Sequence, residues 1–117
     1  MPKEKINWLE AAISAARELK DKNSEGVHLG NLGLAWAALG EARKAIEFYE
    51  QALEIAREIG DRRGEGSGLG NLGNALYGLG EQERGITLMK QALVIFEAIE
   101  SPYAEWARKK LKGWGVK

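Results

Sequence analysis

Residues 68–80 read GLGNLGNALYGLG, with five glycines in thirteen positions. The first six letters, Gly68-Leu-Gly70-Asn-Leu-Gly73, spell the G-x-G-x-x-G pattern of a dinucleotide-binding turn. That turn needs a strand before it and a helix after it, so that free backbone N–H groups meet the pyrophosphate. The residues ahead of it, GDRRGEGS at 60–67, are polar and turn-like, with no strand pattern. Forty residues upstream the same unit reads His28-Leu-Gly30-Asn-Leu-Gly33, with histidine in place of the first glycine. The letters therefore fall inside a helix and not ahead of one, and the nucleotide reading is rejected.

The upstream copy is part of a longer repeat. Residues 25–59, EGVHLGNLGLAWAALGEARKAIEFYEQALEIAREI, align without gaps to residues 65–99, EGSGLGNLGNALYGLGEQERGITLMKQALVIFEAI, at a shift of 40. Agreement in phase over such a length is the mark of tandem structural units. Each unit divides at Gly40-Glu41 or Gly80-Glu81. Before the division, Leu29, Leu32, Trp36 and Leu39 recur at three and four, which is one apolar stripe of a helix. After it, Ala42, Ala45, Ile46, Tyr49, Ala52, Leu53, Ala56 and Ile59 mark a longer second helix, widened by Phe48 and Ile55. Gly40 and Gly80 stand where a helix C-terminus favours a left-handed residue. No period-two strand pattern is present, so the unit is a helical hairpin.

The glycines need a reason, because each one inside a helix costs about 0.8–1.0 kcal/mol relative to alanine. Gly26, Gly30 and Gly33, like Gly66, Gly70 and Gly73, recur at four and three beside the leucine stripe. They predict a smooth strip where a neighbouring helix comes close, matched by Ala45, Ala52 and Ala92 on the second helices.

A hairpin carrying Leu-Gly in its first helix, glycine at its turn and an alanine-rich second helix resembles the tetratricopeptide repeat. The matching residues are Leu32-Gly33, Trp36, Gly40, Ala45, Tyr49 and Ala52, then Leu72-Gly73, Leu76, Gly80, Gly85, Met89 and Ala92. The period of 40 looks like the longer variant found in kinesin light chains and cell-polarity adaptors, since about 34 is usual in the family. Gly85 and Met89 depart from the alanine and aromatic expected there, which predicts looser packing in the second unit. The resemblance implies an all-α, right-handed α-solenoid.

The match extends upstream. Ile6, Trp8, Leu9, Ala12, Ile13, Ala16 and Leu19 fall 40 residues before Ile46, Phe48, Tyr49, Ala52, Leu53, Ala56 and Ile59. With first helices called A and second helices B, the expected order is B, A-B, A-B and a cap. Residues 4–22 form the opening helix, 23–62 and 63–101 the two repeats, and 102–114 a capping helix started by Ser101-Pro102. Tyr103, Trp106, Ala107, Leu111 and Trp114 give that helix an apolar face, and Arg108, Lys109, Lys110 and Lys112 a basic one.

The resemblance also implies where a ligand sits. The family's concave wall is built from first helices, whose outer face carries Val27, Asn31, Leu34 and Ala38, then Ser67, Asn71, Asn74 and Gly78. In the family, asparagine at the place of Asn31 and Asn71 often bonds the backbone of an extended peptide, and Asn74 matches a second such position. The same two amides could instead bond each other or a turn carbonyl between repeats. Tyr77 is expected near the groove's edge, and no Lys or Arg is expected on this face. The candidate peptide-binding set is therefore Val27, Asn31, Leu34, Ser67, Asn71, Asn74 and Tyr77.

Other functions find less support. Lys plus Arg and Asp plus Glu are 17 each, and the only basic run lies near the C-terminus, so no nucleic-acid partner is expected. There is no cysteine and one histidine, His28, whose counterpart is Gly68 and whose near neighbour Glu25 reads as a solvent-facing partner. No nucleophile elbow, phosphate loop or paired-acid arrangement stands out, so the expectation is a non-enzymatic scaffold without cofactor or metal. No apolar run reaches a membrane span and no leader pattern opens the chain, which makes a cytoplasmic location the expectation. A second expectation is self-association as a homodimer. Ile6, Leu9, Ile13 and Leu19 of the opening helix should want two neighbours, whereas the chain offers one. A third is that the chain is the C-terminal piece of a longer array.

Overall fold

A computed structural model describes residues 2–117. The described residues form six helices and no strand: α1 (Pro2–Glu18), α2 (Lys22–Ala38), α3 (Ala42–Ile59), α4 (Arg62–Gly78), α5 (Gln82–Ala98) and α6 (Tyr103–Gly113). Each helix packs on the next along the chain, and α2 also touches α4. That is an α-solenoid of helical hairpins, 44 × 30 × 20 Å, in which α2–α3 and α4–α5 are the two repeat units. The Gly68–Gly73 stretch lies wholly within α4, so its N–H groups are not free to hold a phosphate.

Local chemistry sets the boundaries. Asp21 and Asp61 cap α2 and α4, accepting from the Ser24 N–H at 3.1 Å and the Gly64 N–H at 3.0 Å. Gly40, Gly60 and Gly80 take positive φ at the turns. The corresponding place after α1 and α5 is held by Lys20 (φ 57°) and Glu100 (φ 54°), which carry the steric cost of that conformation. Ser101 Oγ accepts from the Tyr103 N–H at 3.1 Å and starts α6.

The core has two parts. One gathers Ile6, Leu9, Ile13, Leu29, Leu32 and Ile55 from α1, α2 and α3. The other runs through α3 to α6, from Ala45, Tyr49 and Leu53 to Ala104, Ala107 and Leu111. Three of the four side chains expected to leave α1 with an open edge are thus buried inside the chain: Ile6, Leu9 and Ile13 are at most 5% exposed. The reason is rotation. The stripe at 6, 9, 13 and 16 faces α2, and the large uncovered apolar side chains are Trp8 of α1 and Leu19 just beyond its end, 63% and 79% exposed.

The second unit is not loose. Gly85 and Met89 are buried, and the α4 and α5 backbones meet there. A Cβ on Gly85 would lie 2.6 Å from the Gly73 carbonyl oxygen and 2.9 Å from the Tyr77 amide nitrogen. In the first unit the same approach is kept wider by the Tyr49 ring, which lies against Gly33. Replacing alanine by glycine at 85 draws the helices together, so the departure from the family pattern tightens the hairpin.

An ion-pair ladder ties each B helix to the following A helix. Arg17 Nε meets Glu25 at 2.9 Å and Arg57 Nε meets Glu65 at 3.2 Å, forty residues on. Glu25 is 7% exposed and takes Arg17, with Lys22 at 3.9 Å, and not His28 as its sequence position suggests. His28 sets its ring edge-on to Trp8 at 5.6 Å, and its Nδ1 is buried without a hydrogen-bond partner among the described residues.

Candidate functional site

The A helices leave a groove of about 630 Å³. From α2 it is lined by Gly26, Val27, Gly30, Asn31 and Leu34, and from α4 by Arg63, Gly64, Ser67, Gly68, Asn71 and Asn74. Tyr49, Ala52 and Ala56 of α3 and Phe96 of α5 contribute apolar surface, and Tyr103, Trp106 and Lys110 of α6 complete the lining. Asp61, the cap of α4, also borders it.

Six of the seven side chains that the sequence nominates are brought together here: Val27, Asn31, Leu34, Ser67, Asn71 and Asn74. The spacing explains why. Steps of four and three keep 27, 31 and 34 on one side of α2, and 67, 71 and 74 on one side of α4. The face stops there, because Ala38 and Gly78 lie at the helix ends and do not line the groove. Tyr77 is corrected. Its ring stacks on Trp114 with centroids 4.0 Å apart and planes 5° from parallel, so it secures the C-terminal end of the chain and does not reach the groove.

The expectation of a groove without cations is also corrected, since Arg63 and Lys110 both line it. Arg63 had a legible signal: it sits one turn before Ser67 on the same α4 stripe. Lys110 had none of its own, because its place depends on how α6 lies across the end of the groove. Tyr103, Trp106 and Lys110 follow one another at three and four along α6 and share that inner side.

Among the described residues, the side-chain amides of Asn31, Asn71 and Asn74 have no hydrogen-bond partner within the protein, and Asn31 and Asn74 are exposed to solvent. They bond neither each other nor a turn carbonyl, which leaves two donors and one acceptor on each amide facing an apolar-lined cleft. Tyr49 is 3% exposed, and burial pushes its phenol up to about 12. Among the described residues no group of three or more His, Asp or Glu side chains is placed to hold a metal ion. Among the described residues no helix is long and apolar enough to cross a membrane.

A model of the tetratricopeptide repeat family matches residues 27–98. No curated protein sequence matches the chain. Among solved structures the fold is similar to the N-terminal domain of stress-induced protein-1 from C. elegans, with a TM-score of 0.60. The two are 17% identical, and the match covers 96% of this chain and 98% of that one. At that identity the likeness speaks for the fold.

Proposed function

The chain belongs to the tetratricopeptide repeat family, whose members generally mediate protein–protein interaction, and on that premise we propose that it is a non-enzymatic scaffold binding an extended peptide segment of a partner protein in the groove between α2, α4 and α6. The observation that carries the reading is the set of three asparagine amides without internal partners, held over an apolar-lined groove. An extended peptide presents alternating N–H and C=O groups, which amides can both accept from and donate to. Leaving such groups bare against a bound chain would be costly, so the pairing selects for peptide backbone. Arg63 and Lys110 add a preference for acidic side chains on the ligand. The 40-residue period supports placing the chain with the longer-repeat variant of kinesin light chains and cell-polarity adaptors. A cytoplasmic setting fits a scaffold without cysteine.

The test is a peptide array followed by calorimetry on the best binders. Asn71→Ala should weaken them by about tenfold, since it strips one bonded amide from the centre of the site. Binding that survives Asn31→Ala, Asn71→Ala and Asn74→Ala unchanged would reject the groove.

A second reading is supported by α1. Trp8, Ala12, Ala15 and Leu19 recur at four, three and four, and the two large members are 63% and 79% exposed. We infer self-association through this stripe, in place of one through Ile6, Leu9 and Ile13. Light scattering over a dilution series decides it: a mass fixed at 12.9 kDa rules the homodimer out.

A further inference from the structure

The two units share a backbone but not a surface, and the difference leaves a shaped space. In the second unit Gly70 is covered by an indole. A Cβ built on Gly70 would lie 2.6 Å from Trp106 Cζ3 and 3.6 Å from the Ala92 Cβ. Its counterpart Gly30 also lines the groove, yet a Cβ there would meet nothing within 4 Å.

The rotation of α6 about its axis explains why. In sequence register Trp106 corresponds to Gly66, yet position 66 faces its own hairpin partner α5, where a Cβ would come within 2.8 Å of Phe96 Cε1, and no side chain of α4 stands over Gly30 as Trp106 stands over Gly70. The space over Gly30 is left open by construction and is flanked by Val27 and Leu34, about half exposed at 51% and 48%. Apolar side chains held open to water at the side of a pocket gain when a ligand covers them.

We propose that the space over Gly30 is the specificity pocket of the groove, and that it takes one aromatic side chain of the bound peptide in the way that Gly70 takes Trp106. The inference rests on the peptide-binding reading and adds the identity of the anchor residue. The asparagines fix the peptide backbone, and their bonds replace water bonds at small net gain. The ring supplies the area, since an aromatic side chain can bury about 150–250 Å². In a groove of only two repeat units, the anchor would set which peptides bind at all.

The full chain, isotope-labelled for amide NMR, is titrated with N-acetyl-tryptophanamide and, separately, N-acetyl-alaninamide. Saturable shifts are expected at Gly26, Gly30, Ser67 and Gly68 with the indole probe, and affinity about tenfold lower for the alanine probe. Gly30→Leu puts a side chain into the space and should weaken the indole probe by about tenfold. Gly30→Ala intrudes less, should fold in any case, and should weaken it by about threefold. Equal response to both probes, shifts away from Gly30, or full indole binding by a folded Gly30 variant would overturn the pocket. Peptides with and without an aromatic residue separate this from the wider reading. If both kinds bind and both lose affinity in Asn71→Ala, the pocket is refuted while the peptide groove stands. If the indole probe binds at Gly30 and no peptide binds, the space accepts an aromatic ring but its role as a peptide anchor is refuted together with the peptide groove.

Discussion

Alanine at Gly85 and alanine at Gly30 are the same chemical change in helix interiors, and the packing gives them opposite signs. In isolation each should stabilise its helix by about 0.8–1.0 kcal/mol. At Gly85 the new methyl would stand 2.6 Å from the Gly73 oxygen and 2.9 Å from both the amide nitrogen and the Cβ of Tyr77. None of these atoms can rotate away. To restore even a tight contact of 3.4 Å the helices must separate by roughly 0.8 Å along that line. Met89 and Ala92, both 0% exposed, lie farther along the same seam and would lose contact with α4. Overpacking of this kind costs about 1–3 kcal/mol, and rigid backbone neighbours put it at the upper end. The net result is a destabilisation on the order of 1–2 kcal/mol, or about 4–8 °C in Tm for a chain of this length.

At Gly30 there is no neighbour to offend, so the helix gain of about 0.8–1.0 kcal/mol should survive in full. Guanidinium unfolding followed by circular dichroism measures both, and equal m-values make the midpoints comparable. A Gly85→Ala protein as stable as the parent would refute the close approach of α4 and α5. A destabilised Gly30→Ala protein would refute the open space on which the aromatic pocket depends.

Other consequences are checked by the same unfolding assay. Glu100 holds a left-handed φ of 54° where the first unit has Gly60, so Glu100→Gly should stabilise the chain by about 1 kcal/mol. The Tyr49 phenol, raised to about 12 by burial, contributes stability that is whole below pH 10 and is lost as pH rises from 10 towards 12. Tyr49→Phe should remove that alkaline loss, which is on the order of 2 kcal/mol, while keeping the ring against Gly33. Asp21, held below 3.8 chiefly by the Ser24 hydroxyl bond at 2.6 Å, works in the other direction. Its contribution is present above 3.8 and is lost as pH falls through the lowered value, so Asp21→Asn, which still caps α2, should flatten the acid limb of the stability profile.

Much of this architecture is written in periodicity, and periodicity reports a position relative to its own helix. That is why Asn31, Asn71 and Asn74 could be placed on one side of their helices from spacing alone, with the glycine strips beside the leucines. It does not report how far a helix is turned about its axis against its neighbour. The stripe of Ile6, Leu9 and Ile13 is plain in the sequence, but which neighbour it faces is decided by rotation. Tyr77 leaves the groove because its partner, Trp114, lies in the turn after α6, outside the aligned repeats. The same limit hides Lys110, whereas Arg63 stands one turn before Ser67 on a stripe that the spacing itself marks.

The third junction shows how divergence between units makes a site. At the first two, an arginine on the B helix meets a glutamate on the A helix. At the third, the corresponding residues are Glu97 and Glu105, two like charges. Arg108, where the other units have His28 and Gly68, repairs the junction by reaching both, at 2.8 and 3.4 Å. With that tie α6 stays in the place of a further A helix but turns a different face inward. Its buried Ala104, Ala107 and Leu111 correspond to Gly64, Ser67 and Asn71, which in α4 line the groove. The turn brings Tyr103, Trp106 and Lys110 against the end of the groove and lays the indole over Gly70. A strict third copy would have left that place as open as Gly30 is. The groove is therefore bordered by an indole at one end and open over Gly30 at the other through a handful of departures from the repeat, and under the proposed function those departures, not the residues the units share, set a ligand's choice of anchor.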